Sequence, residues 1–144
     1  MRYWDTSALL KLYVTEPDSA KFREHASATG PVLTSDMARW ELFVALQRKE
    51  AAGDISAGTG LAFYSRFEMD VRSGRVVVRT VDLTLLGGFQ SLVRQLYRQQ
   101  PPILIRTLDA LHLAAAHTAH ATEVVTTDQR QAQAATVLGL PIFS

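Results

Sequence analysis

The chain contains no cysteine, which excludes disulfide scaffolding, thiolate nucleophiles and cysteine-ligated zinc together. Any metal must therefore sit on oxygen or imidazole. No apolar run approaches the ~18 residues of a membrane span, and Arg2 and Asp5 stand where a secretory leader needs its apolar stretch. The expectation is a cytoplasmic protein without a membrane partner. Lysine is scarce: Lys11, Lys21 and Lys49 are the only three, and arginine supplies the other basic residues. Arginine favours planar phosphate and carboxylate partners. An excess of one charge is also missing, because 15 Lys and Arg face 14 Asp and Glu. The overall balance alone does not announce a polyanionic ligand.

What is present is enough apolar material for one core: 47% of 144 residues. There are no internal repeats, low-complexity tracts or Pro/Ser-rich linkers, so residues 1–144 read as one domain. Short β-rich runs alternate with longer helical patterns. "RYWD" reads as a first strand, "SALLKLYV" as a helix turned off by Glu16-Pro17, and "DSAKFREHAS" as a second helix capped by Asp18. "GPVLTS" is a buried strand. A long helix starts at Ser35 or Asp36 and stops at Gly53, and "DISAGTGLAFYSRFEMDV" forms its hairpin partner with Ser56 near the cap. "RVVVRTV" is the clearest strand. "LTLLGGFQSLVRQLYRQ" is a helix with a weak Gly87-Gly88 point, closed by Pro101-Pro102. "TLDALHLAAAHTAH" is a helix, "EVVTT" a strand, "DQRQAQAATVL" a helix closed by Gly139, and "PIFS" a last strand. Strands separated by helices imply a mainly parallel sheet in an α/β domain. Active sites of such sheets lie beyond the carboxyl ends of the strands.

Four acids occupy positions that ordinary surface acids do not. Asp5 follows Tyr3-Trp4 at the end of the first strand, and Asp128 follows "EVVTT" in the same way. Either could be a helix N-cap. Glu41, in "RWELFVALQ", has Met37, Ala38, Val44 and Ala45 as its helical neighbours, all apolar. A carboxylate on such a stripe must be paired, protonated or bound to something; an ion pair with a distant arginine is the structural alternative. Asp109 sits in the first turn of its helix, where Thr107 is placed to cap. Strand ends carrying Asp5 and Asp128 and helices carrying Glu41 and Asp109 can converge on one edge of the sheet. Carboxylates ~4 Å apart repel by about 4 kcal/mol per pair at an effective dielectric near 20. Such a cluster raises the pKa values of its members and calls for hard divalent cations.

These residues resemble the PIN-domain ribonucleases, and specifically the VapC-type toxins of type II toxin–antitoxin pairs, nearly end to end. "DTSALLKLYV", "SDMARWELFVALQRK", "TLDALHLAAA" and "VVTTDQRQAQAATVLGLPI" are similar to that family's four acidic segments. The resemblance implies a three-layer α/β/α PIN-like domain with a mainly parallel central sheet. It implies an endoribonuclease dependent on Mg²⁺, with Mn²⁺ as substitute. Its metal-site and catalytic acids fall on Asp5, Glu41, Asp109 and Asp128, with Thr6, Ser7 and Thr127 in support. Implied partners are RNA, a small antitoxin and a second copy of the chain. In the closing segment Gln129, Arg130 and Gln131 follow Asp128, where the family's frequent form has a further acid. A carboxylate-held ion lowers the pKa of water and offsets charge at phosphorus, so no serine or histidine nucleophile is needed. With the four acids set aside, ten acids remain against fifteen bases, a formal +5 suited to a polyanion.

His112 lies three residues after Asp109, on the same helix face, and reads as a packed histidine or one that supports a ligand rather than as a ligand. Phe63, Tyr64 and Phe67 could stack on bases, but at helical spacing they read as core or as a contact between copies. Two other function classes fit some of these features. One is a catalytically silent binding module of the same fold. The other is an aspartyl-phosphate phosphotransfer domain, against which stands the absence of any lysine after Lys49.

Overall fold

The computed structural model describes residues 1–144. Twelve elements follow one another: β1 (Arg2–Trp4), α1 (Thr6–Tyr13), α2 (Ser19–Thr29), β2 (Val32–Ser35), α3 (Asp36–Ala52), α4 (Thr59–Arg72), β3 (Val76–Arg79), α5 (Leu85–Tyr97), α6 (Thr107–Thr118), β4 (Glu123–Val125), α7 (Gln129–Val137) and β5 (Ile142–Phe143). All strand pairings are parallel, in the order β3-β2-β1-β4-β5.

Period-two alternation along the strands divides the core between the two faces of the sheet. Tyr3, Leu33 and Val124 join α5, α6 and α7 in one apolar cluster. Their neighbours Trp4, Val32 and Val125 join α1 to α4 in the other. The result is three layers, helices over sheet over helices, as expected for buried parallel strands. Strand order reverses between β1 and β4: the chain steps outward to β2 and β3 on one side and to β5 on the other. That switch point opens a crevice at the carboxyl ends of β1 and β4, with Asp5 directly after β1 and Asp128 three residues after the end of β4.

Some boundaries differ from the sequence expectation, each for a tertiary reason. The helix after Gly53 begins at Thr59, and Ser56 lies in the preceding turn. Its first turn is capped from α3: the Glu50 carboxylate accepts hydrogen bonds from Gly58 N (2.8 Å) and Gly60 N (2.8 Å). A side chain at Gly60 would put its Cβ 2.8 Å from Glu50 Oε2, so glycine permits this close approach. Gly53 ends α3 in the left-handed conformation, φ +80°. The Gly87-Gly88 pair does not interrupt α5. Asp18 occupies the N-cap of α2 without a side-chain capping bond, because its carboxylate is drawn to Lys11 Nζ at 2.7 Å. α6 starts at Thr107 itself, behind Arg106, with no side-chain cap. No helix is long and apolar enough to cross a membrane.

Candidate metal centre and active site

The crevice at the switch point is a cavity of about 570 Å³, and Asp5, Glu41, Asp109 and Asp128 all line it, with Thr6, Ser7, His112 and Gln131. Asp5 is set by β1 and by the start of α1, whose N-cap it is: Oδ1 accepts from Ala8 N (2.9 Å) and Ser7 Oγ (2.7 Å). Oδ2 accepts from Thr126 Oγ1 at 2.6 Å. Asp128 likewise caps α7, accepting from Arg130 N (2.8 Å) and Gln131 N (3.0 Å). Capping and site-lining are thus compatible, because a helix N-terminus at the strand's carboxyl end holds the acid and faces the crevice at once.

Ser7 ties the two strand ends together. It donates to Asp5 and accepts from Thr127 N at 2.9 Å. Thr127 reaches the site through this backbone group, whereas the threonine hydroxyl on Asp5 is that of Thr126, which also accepts from Asp128 N at 3.0 Å. Thr126 and Gln131, both buried, are parts of the site that no sequence pattern marked.

Glu41 projects from α3. Of its apolar neighbours Met37 and Ala38 are buried as the pattern suggests, whereas Val44, 52% exposed, and Ala45 line the open cavity. The expected alternative partner, an arginine, is not there. Glu41 Oε2 instead accepts from Thr6 Oγ1 (2.5 Å) and His112 Nε2 (2.7 Å). His112 is buried in α6, and its Nδ1 lies 2.7 Å from the Tyr3 hydroxyl, which donates onward to Ser35 Oγ at 2.8 Å. A carboxylate has no proton to give, so Nε2 carries the hydrogen toward Glu41.

The electrostatics separate the acids. Burial pushes the Asp5 carboxyl up, against the pull of its bonds from Thr126, Ala8 and Ser7. Burial also raises Asp109, followed by the charges of Asp128 and Glu41, while Arg106 and His112 oppose. No group donates a hydrogen bond to the Asp109 carboxylate. Glu41 goes the other way from the expected uniform rise: burial pushes it up, but the hydrogen bonds of His112 and Thr6 outweigh that and hold it low.

The donor set fits a hard divalent ion. It consists of carboxylate oxygens, two of them on acids whose ionisation is disfavoured, and Asp109 is under direct repulsion from its neighbours. No three Asp, Glu or His side chains are drawn together into a ligand cage in this conformation.

The family model described as PIN domain matches residues 2–137. Ribonuclease VapC46 of Mycobacterium tuberculosis is 31% identical over 144 residues, covering 99% of this chain and 95% of its own length. Among solved structures, Mycobacterium tuberculosis VapC20, described as a toxin that cleaves the sarcin-ricin loop, superposes with a TM-score of 0.67 at 18% identity, covering 93% of this chain and 95% of that one. A toxin–antitoxin complex from Klebsiella pneumoniae gives 0.67 at 14% identity, covering 100% and 97%.

Proposed function

The chain belongs to the PIN-domain family, among the VapC-type ribonucleases, and from that premise we propose how its site works. It is an endoribonuclease and the toxin of a toxin–antitoxin pair, and its family implies dependence on a divalent metal. In our reading residues 1–144 form one PIN domain that acts in the cytoplasm, cuts RNA, pairs with a second copy of itself and is restrained by a small antitoxin.

The observation that carries this reading is the convergence of Asp5, Glu41, Asp109 and Asp128 on one cavity at the switch point. These four would hold Mg²⁺, or Mn²⁺ in its place. When bound, the ion neutralises charge on the phosphate and makes water a better nucleophile at neutral pH. The protein's own contribution is orientation. Ser7 and Thr126 fix both oxygens of Asp5, and the α7 amides fix Asp128. Thr6 and His112 hold Glu41 from one side, leaving its second oxygen free of protein partners. Asp109 is the acid without hydrogen-bond donors and has most to gain from a cation. No lysine lines the cavity, which separates this site from phosphoaspartate chemistry.

The biological test is expression in the native host. Wild-type protein arrests growth, and co-expression of the small reading frame beside its gene relieves the arrest. Soluble, metal-loaded protein that is harmless there would contradict the toxin assignment.

A further inference from the structure

The rim of the acidic cavity carries a set of residues for which the metal chemistry has no use. Trp40 precedes Glu41 on α3 and lines the cavity, yet it is 67% exposed. Tryptophan is highly buried on average, so an indole left in water beside a reactive centre calls for a partner. Trp40, Val44 and Arg48 follow one another at i, i+4 and i+8, which sets them on one edge of α3 over about 12 Å. Across the cavity Leu108 and Arg106 stand at the start of α6. Both arginines are exposed, and neither joins any ion pair of the protein.

The rim therefore offers a flat aromatic surface, two aliphatic contacts and two unengaged guanidinium groups around a floor of carboxylates. A nucleotide has matching parts: a planar base for the indole and anionic phosphates for the arginines. The cavity volume, about 570 Å³, lies in the range of small-ligand sites. Once divalent cations neutralise the floor, the charge left at the rim is positive, which favours a polyanion over a basic protein segment.

Resting on the ribonuclease reading above, we propose that Trp40 is a base-stacking platform: a base of single-stranded RNA lies on its indole while Arg48 and Arg106 receive flanking phosphates. Because stacking tolerates every base, this subsite positions the strand at the carboxylates without dictating its sequence. Adjacency in the chain makes the coupling direct, since the backbone that carries Glu41 also carries the platform.

The protein's two tryptophans make the test clean. Trp4 is fully buried in the core and Trp40 is the exposed one, so intrinsic fluorescence that responds to RNA reports Trp40. The probe is a ten-nucleotide mixed-sequence single-stranded RNA in Ca²⁺, an ion that occupies oxygen sites but activates water poorly. Binding is followed in parallel by anisotropy of end-labelled RNA. The expected result is saturable quenching that tracks the anisotropy. Trp40→Ala weakens binding by roughly fivefold to a hundredfold, Trp40→Phe restores most of it, and neither variant quenches. Trp40→Ala is a surface change, and an unaltered melting temperature verifies its fold. RNA binding with silent fluorescence, or with full affinity in Trp40→Ala, overturns the platform and leaves the ribonuclease reading intact. No RNA binding together with no cleavage in Mg²⁺ overturns both. A changed sedimentation coefficient in Trp40→Ala, or an indole that responds to the antitoxin and not to RNA, overturns the platform in favour of a protein contact.

Discussion

His112 Nε2 lies 2.7 Å from Glu41 Oε2, and its other ring nitrogen lies 2.7 Å from the Tyr3 hydroxyl. A half-exposed acid on α3 is thus held by a buried imidazole on α6, which is held in turn by a tyrosine of β1. The chain Glu41–His112–Tyr3–Ser35 links four elements across the sheet.

Because His112 serves both neighbours, His112→Ala leaves the Tyr3 hydroxyl without that partner in the core and Glu41 without its imidazole donor. The expected loss of stability is about 2–4 kcal/mol. His112→Gln and Glu41→Gln, measured singly and together in urea, should show a coupling of about 1 kcal/mol or more. Additive effects would mean that the pair does not hold Glu41.

Asp109 gives the cleaner test of repulsion in the cavity. Its carboxyl is pushed up first by burial and then by Asp128 and Glu41. A group whose folded pKa is raised contributes stability that is fully present below its ordinary value of 3.8 and lost as pH rises through the folded value. At neutral pH in EDTA, Asp109→Asn should therefore melt at or above the wild type. Mn²⁺ at ~100 times its dissociation constant stabilises the wild type by about 2.7 kcal/mol, and the variant should gain much less. A variant that melts well below the wild type and keeps the full Mn²⁺ response would show that Asp109 stabilises the fold and binds no ion. Asp5→Asn does not serve this purpose. Asp5 accepts three hydrogen bonds, so its substitution should cost about 1–3 kcal/mol despite the relief of charge.

Away from the cavity, Glu16 is clamped by Lys11 Nζ and Lys49 Nζ, each 2.5 Å away, which ties the α1–α2 turn to the end of α3. Burial pushes its carboxyl up, but the two lysines outweigh that and hold it below its ordinary 4.5. The sign is opposite to that of Asp109: the contribution is present above 4.5 and lost as pH falls through the lower folded value. Glu16→Gln should lower the melting temperature at pH 7 by a few degrees, and by less as the pH drops below 4.5. A difference between wild type and variant that stays constant from pH 7 to pH 3 would contradict the clamp.

The sequence made the parallel α/β order legible because apolar strands and amphipathic helices alternate with clear stop signals at Glu16-Pro17 and Gly53. The unusual placing of Asp5, Glu41 and Asp128 was legible for the same reason, since each interrupts a pattern. What holds them was not. The imidazole on Glu41 comes from 71 residues away and the Thr126 hydroxyl on Asp5 from 121 away, and no local period encodes such contacts. The local pattern places a cap near Ser56, but α4 starts later because its cap is the side chain of Glu50, in another helix. Thr127 looked like the supporting hydroxyl, but strand alternation turns Thr126 inward and leaves Thr127 to contribute its backbone amide.

If the four carboxylates form a divalent-metal centre that cleaves RNA, purified protein incubated with single-stranded RNA will show it. The expected result is cleavage in Mg²⁺ or Mn²⁺, little in Ca²⁺ and none in EDTA, with a loss of about a hundredfold or more, ~2.7 kcal/mol of barrier, in folded Asp109→Asn. Equal cleavage in Mg²⁺, Ca²⁺ and EDTA, or undiminished cleavage by the folded variant, would contradict it.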